Sequence, residues 1–232
     1  MAGIKRKNVI PKEKFVLNED FAYCLGVYYG DGWHTKTARN YMVCLASVDK
    51  DFTDCYKKCF ERWSGLKLLE YVRYYPYGKG KIYYVQKGSN DLKYFINFDL
   101  KRLYDSPNSV KSSFLKGFVD SEGHMSFDKK SSRRLIAISN NDFKLIRLVQ
   151  RLLKSLGIET RRYLKRVKGE QRHYNGVDFT VNKNQYSVRI STKSNLERFN
   201  ELIGFSIKRK QNKLDMALTS YAKTPAVLHK LQ

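Results

Sequence analysis

The sequence predicts an α+β fold made of two copies of one unit, each running helix, hairpin, helix, hairpin, helix. A nine-residue motif occurs twice, as CLGVYYGDG at residues 24–32 and as LKGFVDSEG at residues 115–123. A stretch of alternating polar and apolar residues follows each motif, and a helical stretch that ends at glycine comes next. Because equivalent motif positions lie 91 residues apart and the following segments agree in order, the chain is predicted to be a tandem duplication.

The elements of the two halves can be assigned in matching order. Each motif helix is expected to start thirteen residues before its acid, with Asn18 and Ser109 as the N-caps. Hairpins are predicted at residues 33–47 and 68–88 of the first half and at 124–139 and 160–191 of the second. Helices are predicted at residues 49–65, 90–103, 140–157 and 195–205. We therefore expect two domains, residues 1–106 and 107–232.

Composition restricts the class of protein. The chain has 232 residues, of which 42% are hydrophobic, with 17 Tyr and 13 Phe, so it can bury a substantial core. No apolar run is long enough to cross a membrane, which predicts a soluble intracellular protein without a membrane partner. The four cysteines have no zinc-site spacing, so neither a structural zinc nor a disulfide framework is expected.

The charge balance predicts a polyanionic partner. The chain has 45 Lys and Arg against 22 Asp and Glu, a formal net charge of +23. Residues 1–106 account for +7 and the remainder for +16. Basic side chains interleaved with tyrosines are typical of nucleic-acid binding, and the second half should make more phosphate contacts than the first.

Small residues recur at helical spacing inside both motifs. Gly26 and Gly30 occupy one helix, and Gly117 and Ser121 occupy the other. Pairs of small residues at positions i and i+4 let two helix backbones approach closely, so the two motif helices are expected to pack against each other. Gly32 and Gly123 follow the helices and are expected to end them in the left-handed conformation.

Each motif also places a carboxylate at the C-terminal end of its helix, as Asp31 and Glu122. An acid there opposes the helix macrodipole, at a cost of roughly 0.3–1 kcal/mol at an exposed site. Two such acids would also repel each other if the helices pair. A divalent cation reverses these interactions, because carboxylates and helix-end carbonyls are the oxygen ligands of hard metals. Ordinary solvated loop starts are the alternative. In a strongly basic protein, the metal interpretation predicts metal-assisted phosphodiester hydrolysis.

The paired motifs resemble those of the LAGLIDADG homing endonucleases, in the single-chain form with two repeats. The resemblance implies that Asp31 and Glu122 are catalytic acids that bind Mg²⁺ or Mn²⁺, together with the backbone carbonyls of Gly30 and Ser121. The first copy departs from the family pattern with Cys24 and Tyr29, whereas the second keeps Asp120, which is not a metal ligand in the family. Lys208 is the best match to a basic residue that supports catalysis, and a phosphate contact is its alternative role.

The family fold implies that each half forms an antiparallel, saddle-like sheet on the DNA major groove. Alternation along the strands would then place every second side chain in the groove, although the strand register is open. For each candidate, a solvated surface charge is the alternative. The candidates are His34, Lys36, Arg39, Arg73, Tyr75, Lys81 and Tyr83 in the first half, and Lys129, Arg133, Arg161, Tyr163, Lys165, Arg172, Lys183 and Arg189 in the second.

These inferences predict a monomeric, metal-dependent enzyme that makes a double-strand break in a long asymmetric DNA target. The sequence lacks the terminal His-Asn pair of an intein, which favours a free-standing, intron-encoded protein. An RNA maturase that assists intron splicing on the same fold, with intron RNA as partner, is the first alternative. A non-catalytic DNA-binding regulator is the second, and retention of both acids favours cleavage over either.

Overall fold

The computed structural model describes residues 8–38, 40–74, 80–128, 133–174 and 176–222. These residues divide into two compact units. The first comprises the chain up to Gly123 together with Phe205–Ile207, and the second comprises His124–Gly204 and the chain from Lys208 onward. Both motif helices lie in the first unit, so the compact units do not follow the repeats. The assignment of residues 1–106 and 107–232 as separate domains stays a prediction.

The first unit contains four α-helices and four strands among its described residues, with short 3₁₀ turns at Lys12–Phe15 and Leu100–Leu103. In chain order its elements are α1 (Glu19–Gly30), β1 (Trp33–Lys36), β2 (Tyr41–Ser47), α2 (Lys50–Ser64), β3 (Leu69–Tyr74), β4 (Lys81–Ser89), α3 (Leu92–Ile96) and α4 (Asn108–Glu122). Its core is aromatic, since Phe21 of α1, Trp63 of α2 and Phe95 of α3 contact one another with ring centroids 4.7–5.7 Å apart.

The second unit continues directly from α4. Its elements are β5 (Gly123–Asp128), β6 (Arg133–Asn140), α5 (Phe143–Ser155), β7 (Arg161–Arg166), β8 (Gln171–Tyr174), β9 (Val177–Thr180), β10 (Gln185–Ile190), α6 (Lys193–Leu202) and α7 (Lys208–Ala222). Helix α5 buries Leu145, Ile146, Leu148, Val149, Leu152 and Leu153. In the part of the chain that the structure describes, no helix has the length and apolarity needed to cross a membrane.

The two four-stranded sheets have the same topology, which confirms the predicted mixture of helices and antiparallel sheets. Their strand orders are β1-β2-β4-β3 and β5-β6-β10-β7, so each strand of the first sheet has a counterpart at the same position of the second. The predicted second hairpin of the C-terminal half differs in one respect, because a two-stranded ribbon, β8–β9, interrupts it. Gly169, with φ of 89°, lies in the turn before β8, and Gly176, with φ of 82°, immediately precedes β9.

Helices α1 and α4 pack with their backbones in direct contact at Gly26 and Gly117. A Cβ at Gly26 would lie 2.1 Å from the carbonyl oxygen of Phe114, and a Cβ at Gly117 would lie 2.2 Å from that of Tyr23. Near the N-terminal ends, Ser109 Oγ donates a 2.6 Å hydrogen bond to Glu19 Oε1. The two helices therefore run parallel, and the predicted pairing of the motif helices is what the structure contains.

Two local predictions about these helices were wrong. Ser109 is not the N-cap of α4, because Pro107 precedes the first helical residue and Ser109 lies in the first turn. Gly123 has φ of −85° and ψ of 141°, and Gly32 has no positive φ, so neither glycine is left-handed. Both are required for a different reason, since a Cβ at Gly123 would lie 2.4 Å from the Val119 carbonyl oxygen and one at Gly32 would lie 2.6 Å from Tyr28 Cα. Asn18 caps α1 as predicted, accepting from the Phe21 N–H.

A buried carboxylate, Asp120, connects α4 to α1 and to a strap formed by Phe205–Ile207. Its side chain is 1% exposed. Oδ2 accepts a 2.9 Å hydrogen bond from the Tyr23 hydroxyl, and Oδ1 accepts a 2.8 Å bond from the backbone N–H of Ser206. Burial and the Asp120 charge raise the pKa of Tyr23 well above its usual range, so its hydroxyl remains a donor. These contacts give Asp120 a structural role in the first unit.

The four cysteines are free thiols. Their spacing in the sequence predicts no disulfide framework. Cys55 and Cys59 lie one turn apart on α2. A hydrogen bond from Cys59 lowers the pKa of Cys55 to about 6, with smaller contributions from Ser206 and Tyr23, and the same bond raises the pKa of Cys59. The Asp120 network therefore includes the Cys55 thiol.

Replacing Gly117 by Ala should destabilise the fold. At an unpacked helix position, alanine is more stable than glycine by about 1 kcal/mol. Here the clash with the Tyr23 carbonyl should outweigh that gain and lower the free energy of unfolding by about 1–3 kcal/mol. Thermal or urea unfolding measures this. Gly88→Ala is the control, because a Cβ there has its nearest neighbour at 3.9 Å. Equal stability of the two variants would contradict the close approach of α1 and α4.

Tyr23→Phe should destabilise the first unit by about 1–3 kcal/mol, since it removes a hydrogen-bond donor from a buried carboxylate. Urea unfolding at neutral pH provides the measurement. Tyr29→Phe removes a half-buried hydroxyl from the same helix and should change stability by no more than about 0.5 kcal/mol. If both variants unfolded like the wild type, the Tyr23–Asp120 hydrogen bond would contribute nothing to the fold.

Candidate active site at the paired helix ends

The C-terminal ends of α1 and α4 leave backbone carbonyls directed out of each helix. The N–H groups of Asp31 and Gly32 both donate to the Val27 carbonyl, at 3.1 and 3.0 Å. In α4, the Gly123 N–H donates to the Val119 carbonyl. The last carbonyls of a helix have no donor within it. The carbonyls of Gly30 and Ser121 belong to this group, and each lies next to a motif acid.

The two helix ends meet at Gly30. A Cβ there would lie 2.3 Å from Ser121 Cβ, 2.6 Å from Ser121 Oγ and 3.5 Å from Glu122 Cγ. Only a residue without a side chain allows this contact, and Asp31 is the next residue along the chain. Asp31 is exposed and Glu122 is half-buried. The structure therefore brings together the four residues that the sequence predicts as metal ligands, Gly30, Asp31, Ser121 and Glu122, and their ligand role stays a prediction.

The donor set at this position fits a hard divalent cation. Carboxylate and carbonyl oxygens are the groups that Mg²⁺ and Ca²⁺ prefer, and Mg²⁺ usually takes one or two protein carboxylates with water or phosphate as its other ligands. Among the described residues, no group of three or more His, Cys, Asp and Glu side chains is placed to hold a metal. A metal at the helix ends would thus depend on two carboxylates, backbone carbonyls and non-protein oxygens.

The register of the first sheet divides its predicted DNA contacts between two faces. Glu70 of β3 accepts from Lys57 of α2 at 2.7 Å, which identifies the face that α2 covers. Direct cross-strand partners share a face. Lys81 and Tyr83 lie on the α2 face with Glu70, and His34 and Lys36 are partners of Val43 and Tyr41 there.

Of the first-half candidates that the structure describes, only Arg73 lies on the opposite face, which we call the first open face. It is the partner of Ile82, one residue out of step with Tyr83. The register therefore divides the first-half candidates between two faces, and their contact with DNA stays a prediction. Arg39 and Tyr75 lie outside the described residues, as does Lys129 of the second half.

In the second sheet, four predicted contacts do share one face, the second open face. Arg161, Tyr163 and Lys165 alternate along β7, and Arg189 of β10 is the partner of Arg161. The intervening Arg162 lies on the α5 face, with its guanidinium 4.9 Å from the Phe143 ring. Arg133 begins β6, Arg172 lies in the β8–β9 ribbon, and Lys183 lines a cleft at the base of that ribbon. Lys208 is the first residue of α7.

Sequence reasoning missed a polar cluster on the second open face. Ser139 Oγ is 3.1 Å from Ser187 Oγ and accepts a 3.2 Å hydrogen bond from Lys165 Nζ. Nearby, burial lowers the pKa of His124, and so do the charges of four cations, Lys213, Lys210, Arg209 and Lys165. The residues in this cluster come from several segments, so only the register could have identified it. The sequence signals were Lys165, one of the predicted DNA contacts, and the basic run at residues 208–213.

The chain is similar to one protein family and to two proteins of Methanocaldococcus jannaschii. A family described as LAGLIDADG-like domain matches residues 109–204. The chain is 28% identical over 221 residues to the uncharacterized protein MJ0398 of Methanocaldococcus jannaschii, a match covering 93% of this chain and 79% of that protein. It is 34% identical over 148 residues to the uncharacterized protein MJ0314 of the same organism, covering 61% of this chain and 56% of that protein.

Two kinds of solved structure have a similar fold. The homing endonuclease I-DmoI, in a crystal structure with DNA and Mn, has a TM-score of 0.55 at 21% identity, covering 81% of this chain and 97% of that chain. Full-length DUF199/WhiA from Thermatoga maritima has a TM-score of 0.58 at 15% identity, covering 89% of this chain and 62% of that chain. These matches confirm the resemblance inferred from the motifs: the chain carries a LAGLIDADG-like domain at residues 109–204, in a fold similar to that of the LAGLIDADG homing endonuclease I-DmoI.

Proposed function

We propose that the protein is an intron-encoded homing endonuclease that acts as a monomer and makes a double-strand break in a long, asymmetric DNA target. The observation that carries this proposal is the meeting of two acid-bearing helix ends at Gly30, described above. The fold alone does not decide the matter, because it is shared with a homing endonuclease and with DUF199/WhiA. Two acids at the C-terminal ends of parallel helices support a cleavage site over a non-catalytic scaffold.

The role of the site's own residues follows from its electrostatics. Asp31, Glu122 and the carbonyls of Gly30 and Ser121 direct negative charge into one small volume, where the macrodipole ends add to it. Such a volume binds divalent cations and repels phosphate unless a cation is present. A bound Mg²⁺ or Mn²⁺ supplies a polarised water and neutralises charge on the phosphate. Lys208 is proposed as an additional cation that stabilises phosphate charge.

Duplex DNA is the proposed substrate, and the open faces of the sheets are its proposed contact surfaces. The net charge of +23 gives a large sequence-independent attraction to phosphates. Crystal structures of I-DmoI contain DNA, together with Mn, Mg or Ca. The proposal extends both partners to this chain, with the intronless host-gene sequence as the substrate of an intron-encoded enzyme.

Replacing Asp31 by Asn or Glu122 by Gln should abolish cleavage of the intronless host-gene DNA while leaving binding intact. Each change removes a direct ligand, so the loss of activity should exceed the roughly 100-fold that residues behind metal ligands typically cost. Cleavage with Mg²⁺, then with a chelator, followed by gel analysis of both strands, is the measurement. Glu13→Gln, an exposed acid of the first unit, is the control.

Three outcomes would replace the proposal. Full cleavage by both variants would mean that the helix-end acids are not the metal ligands. Tight binding of the structured intron RNA with weak binding of every duplex would favour the RNA maturase. Acids that prove dispensable, in a protein that binds DNA without cutting it, would favour a regulator.

A further inference from the structure

The two four-stranded sheets have the same topology, but the side chains on their open faces differ in chemistry. On the first open face, the register brings together Trp33, Met42, Ile82, Tyr71, Tyr84 and Gln86. Arg73 is the only charged residue that the described strand pairings place there. The first open face is therefore mainly aromatic and apolar, and its polar groups include the Gln86 amide, the Thr35 hydroxyl and one cation.

The cation of the first open face, the Arg73 guanidinium, contacts two tyrosine rings. Tyr71 and Tyr84 are direct cross-strand partners whose rings stack, with centroids 5.0 Å apart and planes 4° apart. The Arg73 guanidinium lies 4.9 Å from the Tyr84 ring and 5.4 Å from the Tyr71 ring. Cation–π contacts of this kind hold a guanidinium in place at low entropic cost. Arg73 is thus packed into the surface and leaves its aromatic neighbours as the main contact area.

The second open face is cationic. Arg161, Lys165 and Arg189 lie there with Tyr163, and alternation along β6 adds Arg133. The Arg189 guanidinium lies 4.3 Å from the Tyr163 ring, which fixes its plane. Its Nε is buried and has no hydrogen-bond partner among the described residues. A buried donor without an acceptor is costly, and an acceptor on a bound ligand would remove that cost.

Each set of side chains matches a different base pair. In the major groove, Arg and Lys donate to guanine O6 and N7, Gln pairs with adenine N6 and N7, and apolar groups contact the thymine methyl. On these grounds, and resting on the proposed binding of duplex DNA by both open faces, we propose that the two sheets recognise segments of different base composition. The first sheet takes an A·T-rich segment, and the second takes a segment with guanine at the positions that Arg161 and Arg189 reach.

The test is selection of bound duplexes from a random-sequence pool by the full chain in the presence of a chelator, followed by sequencing. The enriched duplexes should contain one A·T-rich segment and one guanine-containing segment. Arg189→Ala should lower affinity for the selected duplex about tenfold or more and erase the guanine preference at its position. Tyr84→Ala should relax the A·T preference and leave the salt slope unchanged.

Adjacent residues of opposite orientation supply matched controls. Arg162→Ala, on the α5 face, and Tyr83→Ala, on the α2 face, should leave both base preferences unchanged. Thermal unfolding of each variant verifies that it folds. If Arg189→Ala weakened all sequences equally, its contact would be to phosphate and the inference would be wrong.

The two proposals fail differently. Enrichment of duplexes with equal composition in both segments would overturn the inference while leaving the endonuclease proposal in place. No enrichment of any duplex would overturn the proposed function itself.

Discussion

The contact between the backbones of α1 and α4 is the constraint on which the proposed chemistry depends. Gly26 and Gly117 permit it, and the parallel direction of the helices brings both C-terminal ends to one place. Parallel packing is electrostatically unfavourable there, because two negative dipole ends and two carboxylates converge. Aromatic packing of Phe21, Trp63 and Phe95 and the buried Asp120 network stabilise the unit despite this cost. A stable fold thus holds a local arrangement that a cation would relieve.

The sheets show how strongly strand register controls the available surface. Arg161 and Arg162 are neighbours in the chain, yet one lies on the open face and the other stacks on Phe143 of α5. Tyr83 and Tyr84 are divided in the same way between α2 and the Tyr71 ring. Because the side-chain period of a strand is two residues, composition alone says nothing about which of two neighbours faces a ligand. The chemical difference between the two open faces follows from these individual orientations.

The predictions made from sequence succeeded where a signal was local and repeated. Glycine spacing predicted the helix pair, alternation predicted the hairpins, and the terminal glycines of α2 and α5 have the expected positive φ of 72° and 73° at Gly65 and Gly157. They failed where a neighbour in space decides the outcome. Ser109 bonds Glu19 of another helix instead of capping its own, and Gly123 is needed because the preceding turn leaves no room for a Cβ. The ribbon β8–β9 was not predicted as a separate element, because the many basic residues of this stretch obscure the alternation of polar and apolar residues.

The strap Phe205–Ile207 belongs to the first unit, although residues 124–204 of the second unit separate it in sequence from the rest of the first. The backbone N–H of Ser206, which is 86 residues further along the chain, donates a hydrogen bond to Asp120. The first unit can therefore be completed only after residues 124–204 of the second have been synthesised. Residues 1–123 are for this reason an incomplete folding unit. The core around the two motif helices is thus assembled from distant parts of the chain, and a truncation before Phe205 would remove a segment that this core contains.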